Sequence, residues 1–302
     1  MTWREDWMRN KIVYFMMLPI IIYFIVTKYL PMFGIAMAFQ NFNVVRGFFG
    51  SKFIGFENFE VLFTGDAFPT AIRNTAVMIL MNLSIGFIAP IIFALLITSM
   101  RGKVAKRICQ TICYTPNFVA AVVVANIVIM FLANDGAVTE LLAIFGLKRQ
   151  NWLANDNPPV FWLINTLMGV WQGFGFGSIM YVAAIHNING DLHEAAAMDG
   201  ASRWQRVWRI TLPNILPIVL MMFTIQIGFS INMGFDKILL IYMPQTYSVA
   251  DNLYTYTYRM AFGASTDYGL GAASGLFQSV ISTILLLTSQ KLSAKNNAIK
   301  LF

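Results

Sequence analysis

Six long apolar runs, separated by polar stretches of unequal length, make up most of this chain. A helix needs about 17–25 residues to cross the hydrocarbon layer of a bilayer, and every run is long enough. The pattern predicts membrane-spanning helices near 12–39, 74–99, 108–132, 160–185, 214–241 and 273–290. No linker, low-complexity segment or short repeat interrupts them, so residues 1–302 are expected to form a single all-α integral membrane domain. The first run follows a basic head (Arg4, Arg9, Lys11) and contains Ala36-Met37-Ala38, the small-x-small form of a signal-peptidase site. The apolar core of a signal peptide is about 7–15 residues long. This run is far longer, and a retained helix is expected.

Composition narrows the partners. Of the 302 residues, 58% are hydrophobic and 12% charged, against roughly 25% charged in a soluble protein. A net charge of +7 would suit nucleic acid if the basic residues formed a stripe. They lie instead at the ends of the apolar runs, at the depth of lipid head groups, which argues for membrane lipid and against nucleic acid. Lysine and arginine concentrate before the first run, between the second and third (Arg101, Lys103, Lys106, Arg107), between the fourth and fifth (Arg203, Arg206, Arg209), and after the sixth (Lys291, Lys295, Lys300). Positive charge stays on the cytoplasmic side, so both termini and the 186–213 loop are expected inside the cell. The loops 40–73, 133–159 and 242–272 then lie outside. The last of these is rich in tyrosine (Tyr242, Tyr247, Tyr254, Tyr256, Tyr258, Tyr268), a surface suited to an external partner.

Polar groups inside spans are costly in lipid and mark candidate positions on a substrate path. Asn117 and Asn126 fall in the third span, Trp171 and Gln172 in the fourth, and Asn232, Phe235 and Asp236, beside Lys237, in the fifth. The alternative for each is hydrogen bonding between helices. As a set, amides and aromatics with few charges suit a neutral polyhydroxylated ligand, because rings stack on sugar faces while amides satisfy hydroxyls. Gly169, Gly173 and Gly177 recur four apart in the fourth span. That face is expected to receive another helix closely, from the same chain or from a partner permease, or, alternatively, to stay bare for passing substrate. Cys109 and Cys113 read as small packing residues, and neither they nor His186 and His193 make a metal-ligand set. No catalytic constellation is visible. The only Gly-Lys pair, Gly102-Lys103, is followed by Val104 and does not complete the GxxxxGK[ST] loop that cradles nucleotide phosphates.

The most informative stretch is polar: EAAAMDGASRWQRVWRITLP, residues 194–213, between the fourth and fifth spans. Asp191 is the expected N-cap of a short helix through Met198, with Glu194 three residues in. Asp199 precedes Gly200, which permits the left-handed turn that ends such a helix. Ser202 is the expected cap of the next helix, and Pro213 stands where the fifth span begins. The stretch resembles the EAA loop of ABC importer permeases, whose fixed positions are occupied here by Glu194, Ala195, Ala196, Gly200, Ile210, Leu212 and Pro213. The resemblance implies the six-helix type I ABC importer permease fold. It also implies a role for these residues and Asp199 in coupling to an ATPase, with Glu194 pairing with a basic group of that subunit.

The segments KYLPMFGIAMAFQNFN (28–43), FIGFENF (53–59), NMGFDKILLIYMPQTYSVADNLYTYTYR (232–259) and DYGLGAASGLFQS (267–279) resemble the oligosaccharide and polysaccharide branch of the maltose-type sugar permeases. That likeness implies a multi-pass protein of the bacterial plasma membrane that imports an oligosaccharide delivered by an extracellular sugar-binding protein. The implied partners are a second, homologous permease, expected to make a heterodimer, and two ATP-binding cassette subunits. No cofactor is expected in this chain, and ATP and Mg would be held by the ATPase subunits. The alternatives are an ABC permease for a peptide or a glycerol phosphate ester, and a secondary transporter independent of any ATPase.

Overall fold

The computed structural model describes residues 3–154, 157–230, 235–264 and 266–295. Six helical stretches in it are long and apolar enough to cross a membrane: Trp7–Phe39, Ala67–Ser99, Ala121–Ile144, Pro158–His186, Arg203–Phe229 and Tyr268–Lys291. The chain divides into two units: the residues up to Gly65 with Thr257–Phe277, and Asp66–Tyr256 with the residues from Gln278 onward.

In the first unit, α1 (Trp3–Phe24) runs on through a wide turn, Ile25–Tyr29, and a tighter one, Leu30–Phe39. Its apolar side chains turn outward; Ile12 and Phe15 are 77% and 76% exposed, which only a lipid solvent tolerates along a whole helix. A short antiparallel pair follows, β1 (Gln40–Asn41) and β2 (Lys52–Phe53), bridged by α2 (Gly47–Gly50). The next helix, α3 (Glu57–Thr64), is tied back by Asn58, whose buried Nδ2 donates to the carbonyls of Ala38 (2.9 Å) and Gln40 (3.1 Å).

The second unit begins with α4 (Ala67–Met81) and α5 (Ile88–Ser99), joined through a widened turn at Asn82–Gly86. Then come α6 (Lys103–Tyr114), α7 (Ala121–Leu132), α8 (Ala137–Ile144), α9 (Pro158–Gly177) and α10 (Ile179–His186). Two short helices, α11 (Gly190–Met198) and α12 (Arg203–Arg206), lead into α13 (Leu212–Phe229), followed by α14 (Phe235–Ile241) and α15 (Tyr247–Ala250). Finally, α16 (Leu253–Phe262) and α17 (Tyr268–Lys295) contribute residues to both units. One apolar core joins Met78, Val124, Phe161, Met168, Ile238 and Val249. A second joins Ala94 and Ile97 to Tyr181 and Val182, with Ile218 and Met222 against it. Many hydroxyls within the spans bond to a carbonyl one turn back, as Thr98 does to that of Ala94 at 2.7 Å, whereas the buried Thr139 hydroxyl has no partner.

Three expectations change. The third span does not run as one helix through 108–132. It breaks at Thr115–Phe118, where Pro116 has no N–H to continue the ladder, and the crossing stretch is Ala121–Ile144. In the fifth, α13 ends at Phe229 and α14 covers Phe235–Ile241; Asn232 lies outside the described residues. The glycine face of α9 also differs. A side chain at Gly169 or Gly173 would meet nothing within 4 Å, whereas one at Gly175 would run into the Cys113 carbonyl. The close backbone approach therefore falls on Gly175, off the four-residue repeat, because α6 crosses α9 from that side.

Candidate functional site

The 189–213 loop is built from its own sequence. Asn189, not Asp191, is the N-cap of α11: its Oδ1 accepts from the Asp191 N–H at 3.0 Å. The cap falls two residues earlier than expected because Gly190 and Asp191 already belong to the helix. At the other end, the Gly200 N–H donates to the Ala197 carbonyl (3.1 Å) and the Ala201 N–H to that of Ala196 (2.9 Å). This paired closure leaves Gly200 at φ +77°, the left-handed conformation that glycine adopts without penalty. Ser202 then caps α12 reciprocally with Gln205: Ser202 N–H to Gln205 Oε1 at 2.8 Å, and Gln205 N–H to Ser202 Oγ at 3.3 Å.

What this frame presents is unoccupied by the rest of the chain. Glu194, Ala195, Asp199 and Gly200 are exposed, with Ala196 partly covered. Met198 is 88% exposed, and Trp204 and Trp208, edge to face at 5.8 Å, are 69% and 57% exposed. Ile210 and Leu212 are half-buried at the root and Pro213 is exposed beside them. A small-residue ridge, an acid and three large apolar side chains thus project from one turn as an exposed knob.

A second feature lies among the spans of the same unit. A cavity of about 220 Å³ is lined by Thr75, Asn82, Asn165, Gly169, Lys237 and Asn252, with Met78 and Ile79 on its apolar side. Its walls are held from outside. Asn82 Oδ1 accepts from Gln226 Nε2 at 2.7 Å, and Thr75 Oγ1 accepts from the Leu253 N–H at 2.8 Å while donating to the Ala71 carbonyl. Beside it, fully buried Asn74 donates to the Ser248 and Asp251 carbonyls, and Trp162 Nε1 donates to the Val249 carbonyl at 2.9 Å. The 246–252 segment is thereby locked to α4 and α9.

None of the described path residues singled out in the sequence is among those lining this cavity. Gln172 donates to the Val119 carbonyl at 2.8 Å, closing the break in the third span. Asn117 sits half-buried in that break, Asn126 and Trp171 are exposed, Phe235 packs on Tyr254 at 4.3 Å, and Asp236 is exposed. Gly169 is the only member of the glycine series among the lining residues named. Sequence reading passed over Asn82, Asn165 and Asn252. The available signal was an amide in or beside an apolar run, as for Asn117, but nothing local says that three such amides converge.

Residues 86–296 match the family described as binding-protein-dependent transport system inner membrane component. The chain belongs to that family: it is a multi-pass permease subunit of the bacterial plasma membrane. It is 34% identical over 288 residues to the polygalacturonan/rhamnogalacturonan transport system permease protein YteP of Bacillus subtilis, covering 95% of this chain and 89% of that one. It is 33% identical to protein LplB of the same organism, covering 97% and 92%. Its fold superposes with a TM-score of 0.88 on a chain of a bacterial ABC transporter that imports the acidic polysaccharide alginate, at 38% identity over 96% of this chain and 98% of that one. A second structure of an alginate transporter, in complex with a pentasaccharide-bound periplasmic protein, matches at 0.88 and 37% identity over 97% of each.

Proposed function

We infer that this chain is one permease half of an ATP-driven importer of oligosaccharides, and that the sugars carry carboxylates. The observation that carries the second part is the cavity. Three amides offer both donors and acceptors to hydroxyls, and Lys237 is its one cation, with no carboxylate among the lining residues. Asp236, next to Lys237 on α14, acts on it electrostatically but is not among the lining residues; a uronate would give the ammonium a counter-ion on the cavity side, which a purely neutral ligand does not. Permeases similar to this one are named for polygalacturonan and for the acidic polysaccharide alginate, which supports the same choice.

In this reading the chain binds and orients sugar, and the energy comes from elsewhere. The knob of α11 and α12 seats in a cleft of a partner ATPase, with Glu194 meeting a basic group and Met198, Trp204 and Trp208 covered by that subunit. Two such ATPases hold ATP and Mg, a second homologous permease completes the pore, and an external sugar-binding protein docks on the outer loops. Both termini and the knob are cytoplasmic. Closure of the ATPases reaches the spans because α12 continues through Val207–Thr211 into α13 without a cap between them. Gly169 leaves the wall of the path free of side chain.

The test is to purify the transporter with its co-purifying subunits and measure ATPase activity with binding protein loaded with oligogalacturonate, alginate oligomer or a neutral oligosaccharide of similar length. Stimulation by an acidic glycan is expected. Equal stimulation by the neutral one sinks the uronate assignment, and absence of any ATPase sinks the coupling role.

A further inference from the structure

Between the ends of α5 and α10 and the root of the knob lies a second cavity, of about 400 Å³. Its charged lining is basic, Arg101, Arg203 and Arg206, with His186 and His193 and the hydroxyl residues Thr98, Ser99 and Thr211 beside them. Lys106 adds a further cation at His186, with Nζ 3.1 Å from Nε2. No carboxylate is among the lining residues, and among the described residues the one ion pair, Glu140 with Arg149, belongs to α8 and the loop after it. Arg206 Nε is buried without a hydrogen-bond partner, while its Nη1 reaches only the His193 carbonyl, at 3.5 Å. Guanidinium groups gathered without a counter-ion repel one another, and a buried donor left unmet costs about 1–3 kcal/mol. The arrangement therefore calls for an anion.

We propose that this pocket binds a phosphate ester, and that the ester is the head group of an anionic phospholipid. Arginine forks match phosphate oxygens in pairs. The depth fits a lipid, because the lining comes from the last residues of two crossing stretches, Ala67–Ser99 and Pro158–His186, and the first of a third, Arg203–Phe229. Head groups meet water at that level. The remaining wall sets Leu95, Ile185 and Val207 beside the hydroxyl residues Thr98, Ser99 and Thr211; the apolar part suits a glycerol backbone and the first acyl carbons, which a free phosphate lacks. The bound head group bridges α5 and α10 to α11 and α12, so the lipid around the protein bears on how firmly the knob is held. This rests on the membrane-permease reading but on neither the sugar nor its charge, and the assay below reads lipid rather than transport.

Native mass spectrometry of the assembled transporter, released from nanodiscs of phosphatidylcholine doped with phosphatidylglycerol, counts the anionic lipid retained. Wild type should keep phosphatidylglycerol, and Arg101→Gln with Arg206→Gln should lose it, each arginine weakening retention about fivefold. Arg209→Gln removes the same charge from an exposed residue outside the lining and should retain the lipid. Should the double variant fail to assemble, exposed Arg101→Gln alone serves. Inorganic phosphate titrated into phosphatidylcholine-only discs separates the sources. If it raises the melting temperature of wild type and not of the variant, while phosphatidylglycerol is not retained, the ligand is a soluble phosphate and the lipid assignment falls. Equal retention by wild type and variant overturns the site. So does a variant that sheds its ATPase with lipid unchanged, which would make an ATPase carboxylate the occupant.

Discussion

The knob and the amide-lined cavity belong to the same unit yet are made in opposite ways. The bonds that cap and close the knob span at most a few residues: Asn189 to Asp191, Ala196 to Ala201, Ser202 to Gln205; the longest contact between its helices, Arg206 to the His193 carbonyl, is also the weakest at 3.5 Å. Its side chains are left outside, for a partner to complete. The cavity takes Asn82 from the turn between α4 and α5, Asn165 from α9, Lys237 from α14 and Asn252 from the loop after α15. Its bracing bonds run over far longer separations, as from Gln226 to Asn82 or from Leu253 to Thr75. The proposed coupling surface must keep its shape while it is pushed, and local closure provides that. The proposed translocation path must change shape, and walls drawn from separate helices move when the helices do.

The sharpest way to break this contrast is at Gly200. Gly200→Pro removes the N–H that closes on Ala197 and forces φ near −65° where the chain needs +77°. Uptake into proteoliposomes carrying the full transporter should be abolished while membrane insertion is unchanged. Normal uptake would mean that the turn does not transmit force. Next, Lys237→Gln should raise the KM for an acidic oligosaccharide by tenfold or so, the worth of a hydrogen bond to a charged group at about 1.5–3 kcal/mol, and leave a neutral one unaffected. An equal effect on both would return the cavity to a structural role.

A paired test separates two glycines of one helix. Gly175→Ala drives a methyl into the Cys113 carbonyl and should destabilise by about 1–3 kcal/mol, the usual cost of overpacking. Gly173→Ala enters open space and should stay within about 0.5 kcal/mol. Thermal unfolding in detergent reads the difference, and equal melting points would place the helix contact elsewhere. The smallest effect is expected from Ser202→Ala, which loses a cap worth about 1 kcal/mol. Hydrogen exchange at the Gln205 amide should rise while the amides of α9 keep their protection.

The same contrast explains what the sequence made legible. Six apolar runs announce six spans because hydropathy is a property of each segment alone, and Gly200 and Ser202 announce their turn and cap because both act on neighbours in the chain. Asp191 was misread as a cap although the error stayed local; Asn189, two residues earlier, has the same capping chemistry, and only backbone geometry chooses between them. Gln172 stands out in the sequence because a mid-span amide is costly; its Nε2 is met by a carbonyl 53 residues away that the break at Pro116 sets free, while its Oε1 stays buried without a partner. The cavity stayed out of sight for that reason: which amides meet depends on how helices cross, and Gly175, the residue that fixes one crossing, sits off the repeat that catches the eye.

The outward-facing first helix carries a different lesson. From Trp7 to Phe39 this chain buries almost nothing of its own, so no jigsaw constrains which apolar residue stands where. Its message is statistical, written in average greasiness and total length, and exchanges among isoleucine, leucine, valine and phenylalanine along it should be close to silent. In α9, where one added methyl strikes a carbonyl, each letter is spelled individually. A mutational scan of the two helices would therefore return a tolerant, nearly flat profile for one and a jagged profile for the other.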